Sequence, residues 1–444
     1  MRSADVVVIG GSAAGVPAAL TARRHYPEKS VMIVRKERQV PIPCGIPYIY
    51  GTVGSTDKNL IGDAVLEKNG IDLLVDPAVE IDRDRKVVLT ESGEEVGYDR
   101  LILATGAVPA SPPIPGLDKE NVFTIEKDVA HLDRILRALD DVRDLVIIGG
   151  GFIGVEFADE CRKGRDINVT IVEMLPHCLM LAFEEDLCIE AEETLRERGI
   201  NIVCGVRVEE VLGDGNVTGV RLSNGETLRA DAVIVAIGVR PDVELAEKAG
   251  LEVDRGGIVV DSMMNTSDPD IYACGDCASK WSFFTGKPSN LRLASIATME
   301  ARIAGANLFG KRRECQGVIG VFSTAIGERV FAMAGLKEST AVEEGYDVAC
   351  GTAEAPNRHP GTMPGMAMMK VKLVFNRKSG EIIGGQIRGG PSAGEMINTI
   401  SACIQKRMTV DDIATFQLGT HPAVTASPIA YQLVNAAEMA LKEM

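Results

Sequence analysis

Residues 145–154 have the sequence Leu145-Val-Ile-Ile-Gly149-Gly150-Gly151-Phe152-Ile153-Gly154. An apolar run is followed by glycines in the spacing G-x-G-x-x-G, and a helical pattern continues beyond them. Glycines in this spacing permit a tight turn and let backbone N–H groups at a helix N-terminus approach a pyrophosphate. The stretch therefore predicts a strand, a nucleotide-binding turn and a helix. The candidate ligand contacts within it are Gly149, Gly151, Ile153 and Gly154.

The strand predicted next, over residues 168–172, ends at Glu173, about twenty residues beyond the glycines. A carboxylate at this position accepts hydrogen bonds from ribose hydroxyls. Met174 and Leu175 follow instead of arginines, so a 2′-phosphate would meet a negative charge without a balancing cation. We therefore predict that this fold binds NADH rather than NADPH.

The chain opens with a second copy of the same pattern. An apolar run over residues 5–9 leads into Gly10-Gly-Ser12-Ala13-Ala-Gly15, then a helical stretch and a second strand over residues 30–34. The middle glycine is replaced by Ser12, and Arg35 stands where an acidic residue is expected. Either Glu37 reaches the ribose or that contact is made differently. The candidate contacts of this copy are Gly10, Ser12, Ala13, Gly15 and Glu37, to which we add Val79.

Two nucleotide folds in one chain imply two nucleotides, a bound flavin and a diffusing nicotinamide. Three further strands end in small residues, the first at Ala104-Thr105-Gly106 and its echo at Gly238. The third ends in Gly275-Asp276, where the carboxylate can accept a hydrogen bond from a ribityl hydroxyl. The candidate cofactor contacts at these strand ends are Ala104, Thr105, Gly106, Gly238 and Asp276.

Composition limits the partners. With 47 basic and 63 acidic residues the formal charge is −16, which disfavours binding to nucleic acid or an anionic membrane. The sequence shows no signal-peptide pattern and no apolar run near 18 residues, so we expect a cytoplasmic protein with a small-molecule substrate. Its ten cysteines lack the spacing of a disulfide framework. Cys274 and Cys277 have redox-like spacing but overlap the Gly-Asp motif, and we expect no metal.

One cysteine decides the function. The stretch Pro43-Cys44-Gly45-Ile46-Pro47-Tyr48 contains a single cysteine where dithiol enzymes carry two. A lone cysteine is more often a small buried apolar residue. A reactive thiolate needs a positive field, and the residues after Cys44 can begin a helix with Pro47 in its first turn. Without a second cysteine nearby, the oxidised form should be a mixed disulfide, persulfide or sulfenate.

Together these motifs resemble the flavoprotein pyridine nucleotide-disulfide oxidoreductases along the whole chain. The single-cysteine motif is similar to the branch of coenzyme A disulfide reductase, NADH oxidase and NADH-dependent persulfide reductase. The resemblance implies an α/β fold with two Rossmann-like dinucleotide-binding domains, for FAD and NAD, and a C-terminal α+β dimerisation domain of a homodimer. The expected divisions are residues 1–112 and 246–316 for FAD, 113–245 for NAD and 317–444 for dimerisation.

The resemblance also implies that electrons pass from NADH to FAD to the sulfur of Cys44. Our main interpretation is a reductase of coenzyme A disulfide, persulfide or polysulfide. The alternative is an NADH oxidase or peroxidase, and a flavoprotein that binds NADH without catalysis is a third class. Oxidase and peroxidase relatives place a histidine where this chain has Ala13, which favours sulfur substrates. Glu156 corresponds to a position near the nicotinamide, although a first-turn glutamate also suits the helix dipole.

Coenzyme A is expected as a bound group or a substrate because Arg23 and Arg24 resemble residues that hold its phosphates. A solvated helix face is the other interpretation of this pair. Where coenzyme A reductases have paired tyrosines, residues 359–365 are His-Pro-Gly-Thr-Met-Pro-Gly. A second tyrosine is replaced by Thr420-His421-Pro422. Both departures weaken the case for coenzyme A disulfide itself and open the pocket to another sulfur substrate.

His421 resembles the interface histidine of the dithiol reductases, which exchanges protons with the leaving thiol in the partner's site. In those enzymes a carboxylate a few residues later orients the ring, but this chain has only Thr425 and Ser427 there. His421 is therefore a candidate acid/base, with a structural histidine as the other interpretation.

Overall fold

The first unit of the computed structural model is built on a seven-stranded sheet. The structure describes residues 2–444, and this unit contains residues 2–113, 124–141 and 238–318. In the sheet, Arg2–Ile9 lies between and parallel to Val31–Arg35 and Glu95–Leu103. Its residues Val6, Val7 and Val8 are fully buried, which explains the unbroken apolar run, because helices cover both faces of such a sheet. The strands in spatial order are Asp72–Val75, Val31–Arg35, Arg2–Ile9, Glu95–Leu103, Val87–Thr90 and Ala78–Asp82, with Ile271–Ala273 beside Glu95–Leu103.

Short elements complete this unit. Three two-stranded ribbons pair Val40–Pro41 with Leu60–Ile61, Ala107–Pro109 with Val239–Pro241, and Val253–Asp254 with Gly257–Ile258. The α-helices are Gly15–His25, Ala64–Lys68, Val129–Ala138, Glu244–Lys248 and Ala294–Asn307, and the 3₁₀ turns are Pro43–Gly45, Pro47–Tyr50 and Thr56–Lys58.

The second unit, residues 114–123, 142–237 and 319–444, contains the other nucleotide fold. The central strand Asp144–Ile148 is parallel to both of its neighbours and is followed by the helix Phe152–Arg162. The strands in order are Val122–Thr124, Ala232–Val235, Asp144–Ile148, Asn168–Glu173 and Ile200–Cys204. The helix Glu185–Glu197 and a three-stranded antiparallel sheet, Val208–Leu212, Gly219–Leu222 and Thr227–Arg229, complete this fold.

The C-terminal part of the second unit is a five-stranded antiparallel sheet with helices. Its strands in order are Val321–Ile326, Arg329–Gly335, Ile382–Gly389, Met368–Asn376 and Val348–Pro356. Its helices are Glu338–Glu343, Ala393–Gln405, Val410–Ala414 and Gln432–Ala440, with a 3₁₀ turn at Pro428–Ala430. The two parallel nucleotide folds and this α+β region confirm the predicted fold class.

Two local predictions differ from the structure. The helical periodicity of residues 427–442 predicts a helix from Ser427, but the helix begins at Gln432, because Pro428 starts a separate 3₁₀ turn and Tyr431 is extended. The residues after Cys44 form 3₁₀ turns instead of an α-helix. The four-segment domain division remains a prediction. Within residues 2–444, no helix is both long and apolar enough to cross a membrane.

Candidate functional site

The first glycine turn, residues 10–15, is closed by contacts that leave no space for side chains. Gly10 has a φ of +110°, and a Cβ on it would lie 2.2 Å from the carbonyl oxygen of Ala104. A Cβ on Gly15 would lie 1.8 Å from the carbonyl oxygen of Gly10. These two positions require glycine, and they bring the turn against the Ala104-Thr105-Gly106 strand end.

The hydroxyl of Ser12 indicates a ligand-binding position in this turn. Its Oγ is buried and has no hydrogen-bond partner among the residues that the structure describes. A buried hydroxyl left unpaired costs about 1–3 kcal/mol, so a phosphate oxygen that accepts its proton would recover that energy. Next to the turn, a Cβ on Gly106 would meet nothing within 4 Å, so the strand end is open. These features fit the pyrophosphate of the expected FAD.

The strand end at Thr105 is fixed on its other side. The Thr105 hydroxyl donates to the carbonyl oxygen of Asp242 at 2.7 Å, and the N–H of Asp242 donates to Gly106 at 3.0 Å. Gly238 has a φ of +101°, and nothing lies within 4 Å of its Cβ position. The Ala13 carbonyl accepts from Thr298 at 3.1 Å. Hydrogen bonds within this unit therefore hold Ala13, Thr105 and Gly106 in place.

A buried ion pair, to which no sequence motif pointed, fixes the backbone of Gly275 next to Asp276. Lys280 Nζ lies 2.9 Å from Glu300 Oε2 and 2.7 Å from the carbonyl oxygen of Gly275. The N–H of Gly275 donates to the same Glu300 oxygen at 2.8 Å. Burial raises the pKa of Glu300, and Lys280 opposes that effect. Lys280 and Glu300 thus bind the carbonyl oxygen and the N–H of Gly275. Asp276 is partly exposed, and Lys127 Nζ lies 3.6 Å from its carboxylate.

Arg35 has a structural role at the end of the second strand. Its side chain is buried and donates two hydrogen bonds to the Asp63 carboxylate, at 2.7 and 2.8 Å. Its Nε donates to the carbonyl oxygen of Glu37 at 2.8 Å, so Arg35 fixes the loop that carries this residue. A Cβ on Gly11 would lie 2.5 Å from Arg35 Cδ. Ribose contact by Glu37 remains a prediction, as does contact by Val79, which is 38% exposed.

Cys44 is exposed in the middle of the 3₁₀ turn Pro43–Gly45. The buried side chain of Asn59 holds this turn, since its Nδ2 donates to the carbonyl oxygen of Ile42 at 3.0 Å. The N–H of Ile42 donates to the Asn59 carbonyl at 2.9 Å. A Cβ on Gly45 would lie 1.9 Å from Asn59 Oδ1, so glycine is required beside the cysteine. No sequence motif pointed to Asn59.

The turn that follows Cys44 is anchored within the same unit. Tyr50 is fully buried, and its hydroxyl donates to the carbonyl oxygen of Leu132 at 3.3 Å. Thr56 donates to the Asp133 carboxylate at 2.7 Å. These bonds tie the cysteine segment to the helix Val129–Ala138. Because the turn that carries Cys44 and the turn that follows it span only three and four residues, the helix dipole expected there is small.

The second glycine turn, residues 149–154, has the same closed and open positions. A Cβ on Gly149 would lie 2.6 Å from the carbonyl oxygen of Ala236, and one on Gly154 would lie 1.9 Å from that of Gly149. At Gly151, the N-cap of the helix, nothing lies within 4 Å of the Cβ position. Ile153 is 40% exposed beside it. This open helix start fits the pyrophosphate of a nicotinamide dinucleotide.

Glu173 lies at the strand end beside this turn, as predicted. Its Oε2 accepts from the N–H of Gly150 at 2.6 Å and its Oε1 from the N–H of Leu175 at 2.8 Å. The carboxylate is therefore fixed in place beneath the turn, and Met174 next to it is 68% exposed. A fixed anion followed in the chain by Met174 and Leu175 instead of arginines fits ribose hydroxyls better than a 2′-phosphate.

Glu156 is half-buried on the helix Phe152–Arg162. The Thr324 hydroxyl donates to its Oε1 at 2.9 Å. Burial raises the pKa of Glu156 to about 7, although the Thr324 hydrogen bond acts in the opposite direction. A carboxyl with this pKa exchanges protons near neutral pH, whereas an ordinary first-turn glutamate stays ionised.

His421 is exposed in the second unit. Its Nδ1 accepts a hydrogen bond from the N–H of Ala423 at 3.2 Å, which leaves Nε2 to exchange protons. The Thr425 hydroxyl accepts from the backbone N–H of His421 at 2.9 Å, so it shapes the loop rather than orienting the ring. The role of His421 as an acid/base remains a prediction.

Arg23 and Arg24 differ in their surroundings. The Arg23 guanidinium donates to the carbonyl oxygens of Asn69, Pro27 and Lys29 at 2.9–3.0 Å, so it joins the helix end to two loops. Arg24 is exposed. Phosphate binding by this pair remains a prediction, and the structure gives Arg23 a structural role as well.

Two dinucleotide-binding folds followed by an antiparallel interface-type domain define a class of flavoprotein oxidoreductases. The chain belongs to the pyridine nucleotide-disulphide oxidoreductase family, whose model matches residues 4–301, and the model of the family's dimerisation domain matches residues 321–429. The predicted family, enzyme class and cofactors FAD and NADH are thereby confirmed.

Three relatives illustrate the range of the family. The chain is 32% identical over 451 residues to the NADH oxidase of Methanocaldococcus jannaschii, covering 99% of each chain. It is 33% identical over 438 residues to the NAD(P)H sulfur oxidoreductase (CoA-dependent) of Pyrococcus furiosus, covering 95% of this chain and 96% of the relative. The solved structure of an NAD-dependent persulfide reductase from A. fulgidus has a TM-score of 0.91 and 33% identity, and covers 99% of this chain and 83% of that chain.

Proposed function

We propose that the protein uses NADH to reduce the sulfur–sulfur bond of a coenzyme A disulfide, persulfide or polysulfide through Cys44. The observation that carries this proposal is the exposed Cys44 on a turn fixed by Asn59 and Gly45. An inert structural cysteine is usually buried, as Cys274 and Cys277 are, whereas a reacting sulfur must be reached by substrate.

The chain's own residues bind FAD and NADH and position Cys44. Bound FAD supplies the two-electron carrier between NADH and sulfur. Ser12 and the open position at Gly106 would hold its phosphates, and Asp276 would accept a hydrogen bond from its ribityl chain. Gly151 and Glu173 bind the pyrophosphate and ribose of NADH. Asn59 keeps Cys44 in one position.

The proposed reaction needs only NADH, a proton and the sulfur substrate. The Cys44 thiolate attacks one sulfur of the substrate, forms a mixed disulfide and expels the other sulfur as a thiolate. Two electrons from NADH then cleave the mixed disulfide, which restores the Cys44 thiolate and releases the second sulfur. Overall, one NADH, one proton and one disulfide give NAD⁺ and two thiols. We assign proton delivery to the partner subunit's His421.

Relatives support sulfur substrates. The Pyrococcus furiosus relative is named as a CoA-dependent sulfur oxidoreductase, and the A. fulgidus structure as a persulfide reductase. Ala13 at the expected histidine position is consistent with them. Exposed Arg24 is the stronger candidate of the arginine pair for a coenzyme A phosphate. We further propose that the enzyme is a cytoplasmic homodimer with no nucleic-acid or membrane partner, as its charge and its dimerisation domain suggest.

An NADH oxidase is the second candidate function. Its support is the 32% identity to the Methanocaldococcus jannaschii NADH oxidase over 99% of the chain. In that case, Cys44 would pass through a sulfenate, or oxygen would accept electrons without it. A protein that only binds NADH would show no turnover with any acceptor.

The test is NADH consumption by the FAD-loaded dimer, with oxygen excluded, using coenzyme A disulfide, a persulfide, polysulfide and peroxide, and oxygen in a separate assay. We expect turnover with at least one sulfur acceptor, a lower rate with NADPH, and loss of more than about a thousandfold in Cys44→Ser. The matched control is Cys350→Ser, a partly exposed cysteine of the other unit, which should keep full activity. Turnover of sulfur acceptors by Cys44→Ser would refute the mechanism, and turnover with oxygen alone would establish the oxidase.

A further inference from the structure

A cluster of metal-ligating side chains lies in the second unit and contains none of the residues assigned to sulfur chemistry. Sγ of Cys178, Sγ of Cys204 and a carboxylate oxygen of Glu192 lie within 4.8 Å of one another. Two sulfurs and a buried carboxylate form a donor set that suits zinc and similar soft divalent cations. We propose that these three residues bind one zinc-class divalent cation beneath the second glycine turn.

The spacing between Cys204 and Glu192 is close to that of two ligands in a tetrahedral site. With zinc–sulfur bonds near 2.3 Å and zinc–oxygen bonds near 2.1 Å, neighbouring donors are separated by about 3.6–3.8 Å. The distance from Cys204 Sγ to Glu192 Oε1 is 3.5 Å. All three donor atoms lie within 4.8 Å of one another, so the other two separations would have to shorten by about 1 Å at most for all three to bind one ion.

The donors come from three separate elements, which gives the site a rigid frame. Cys204 ends the strand Ile200–Cys204, and Glu192 lies on the helix Glu185–Glu197. Cys178 lies in the loop that follows Glu173. No sequence pattern pointed to this site, and no metal was expected, because its two cysteines are far apart in the chain and have no ligand spacing.

Second contacts orient the carboxylate and balance its charge. The N–H of Cys178 donates to Glu192 Oε1 at 2.9 Å, which leaves another lone pair of that oxygen for a cation. Arg196 donates to Oε2 at 3.1 Å. His177 Nδ1 lies 3.2 Å from Glu192 Oε1 and so also helps to orient the carboxylate, while a water molecule would supply the fourth ligand.

The site touches the nucleotide turn directly. A Cβ on Gly150 would lie 2.6 Å from Cys178 Sγ, and Gly150 donates its N–H to Glu173. Cys204 is the register partner of Glu173 on the neighbouring strand. A bound cation would therefore connect the loop after Glu173 to the strand Ile200–Cys204. This connection would make the part of the fold below the NADH site more rigid.

The experiment measures zinc bound to the FAD-loaded dimer purified with reductant and zinc, by elemental analysis and by competition with a chromophoric chelator. We expect about one zinc per chain, with two sulfur neighbours near 2.3 Å in X-ray absorption. Loss of even an outer-shell partner costs roughly 10–100-fold in metal affinity, so Cys204→Ala should weaken zinc binding at least tenfold. Glu192→Gln, which keeps the side-chain volume, should weaken it as well.

Cys188→Ala is the matched control. Cys188 is a buried cysteine on the same helix as Glu192, with its sulfur 3.7 Å from the carbonyl oxygen of Phe183, and its replacement should leave zinc binding unchanged. FAD content and melting temperature show whether Cys204→Ala is folded, and Glu192→Gln gives the answer if it is not. Equal zinc affinity in the wild type and the folded site variants would overturn the proposal. So would a zinc-free wild type or a disulfide between Cys178 and Cys204.

Discussion

At the residue scale, the burial of Glu156 makes the stability of the folded protein depend on pH. Burial raises its pKa to about 7, whereas an unfolded glutamate titrates near 4.3. The folded protein therefore binds the proton more tightly, and stability falls as pH rises between these two values. Above about pH 7 the ionised carboxylate costs about 3 kcal/mol relative to a neutral group.

Glu156→Gln removes this titration. We expect its stability advantage over the wild type to grow by about 2–3 kcal/mol between pH 5 and pH 8.5. The measurement is denaturant unfolding of the FAD-loaded protein at both pH values. Thr324→Val should steepen the wild-type pH dependence, because it removes the hydrogen bond that lowers the Glu156 pKa. Exposed Glu193→Gln is the control, and parallel pH curves for Glu156→Gln and wild type would contradict the assignment.

At the scale of elements, the turn that carries Cys44 depends on one close approach. A Cβ on Gly45 would lie 1.9 Å from Asn59 Oδ1, so Gly45→Ala must displace the amide that holds Ile42. We expect a loss of about 1–3 kcal/mol in stability and a larger loss in sulfur-acceptor turnover, with FAD retained. Gly62→Ala is the control, since nothing lies within 4 Å of its Cβ position.

A double variant separates the clash from the loss of glycine itself. Asn59→Ala removes the obstructing amide, so Gly45→Ala should cost less stability in that background than in the wild type. Additive losses in the Gly45→Ala/Asn59→Ala variant would show that the contact is not what requires glycine.

The same element shows what the sequence could predict. Both glycine turns, their strands and Glu173 were predicted because periodicity and short spacing encode them locally. Asn59, the Lys280–Glu300 pair and Cys178 with Cys204 were missed, because tertiary packing brings together residues that are distant in the chain. Pro47 suggested an α-helix after Cys44, but the anchored chain forms only short 3₁₀ turns there.

At the scale of the whole molecule, the proposed proton donor belongs to the partner. If the partner subunit's His421 serves each Cys44, Cys44→Ser and His421→Gln each inactivate a homodimer. A hybrid dimer of these two chains still holds one complete site, because the His421→Gln chain supplies Cys44 and the Cys44→Ser chain supplies histidine.

Co-expression of the two variants with different affinity tags tests this arrangement. Random pairing makes half of the dimers hybrid, each with one of two sites intact, so the mixture should recover about a quarter of wild-type turnover. Hybrids purified through both tags should reach about half. The control is a dimer of two Cys44→Ser chains that carry the two different tags, and this dimer should stay inactive. Inactive Cys44→Ser/His421→Gln hybrids would place the proton donor within the same chain, and full turnover by the His421→Gln homodimer would remove His421 from the mechanism.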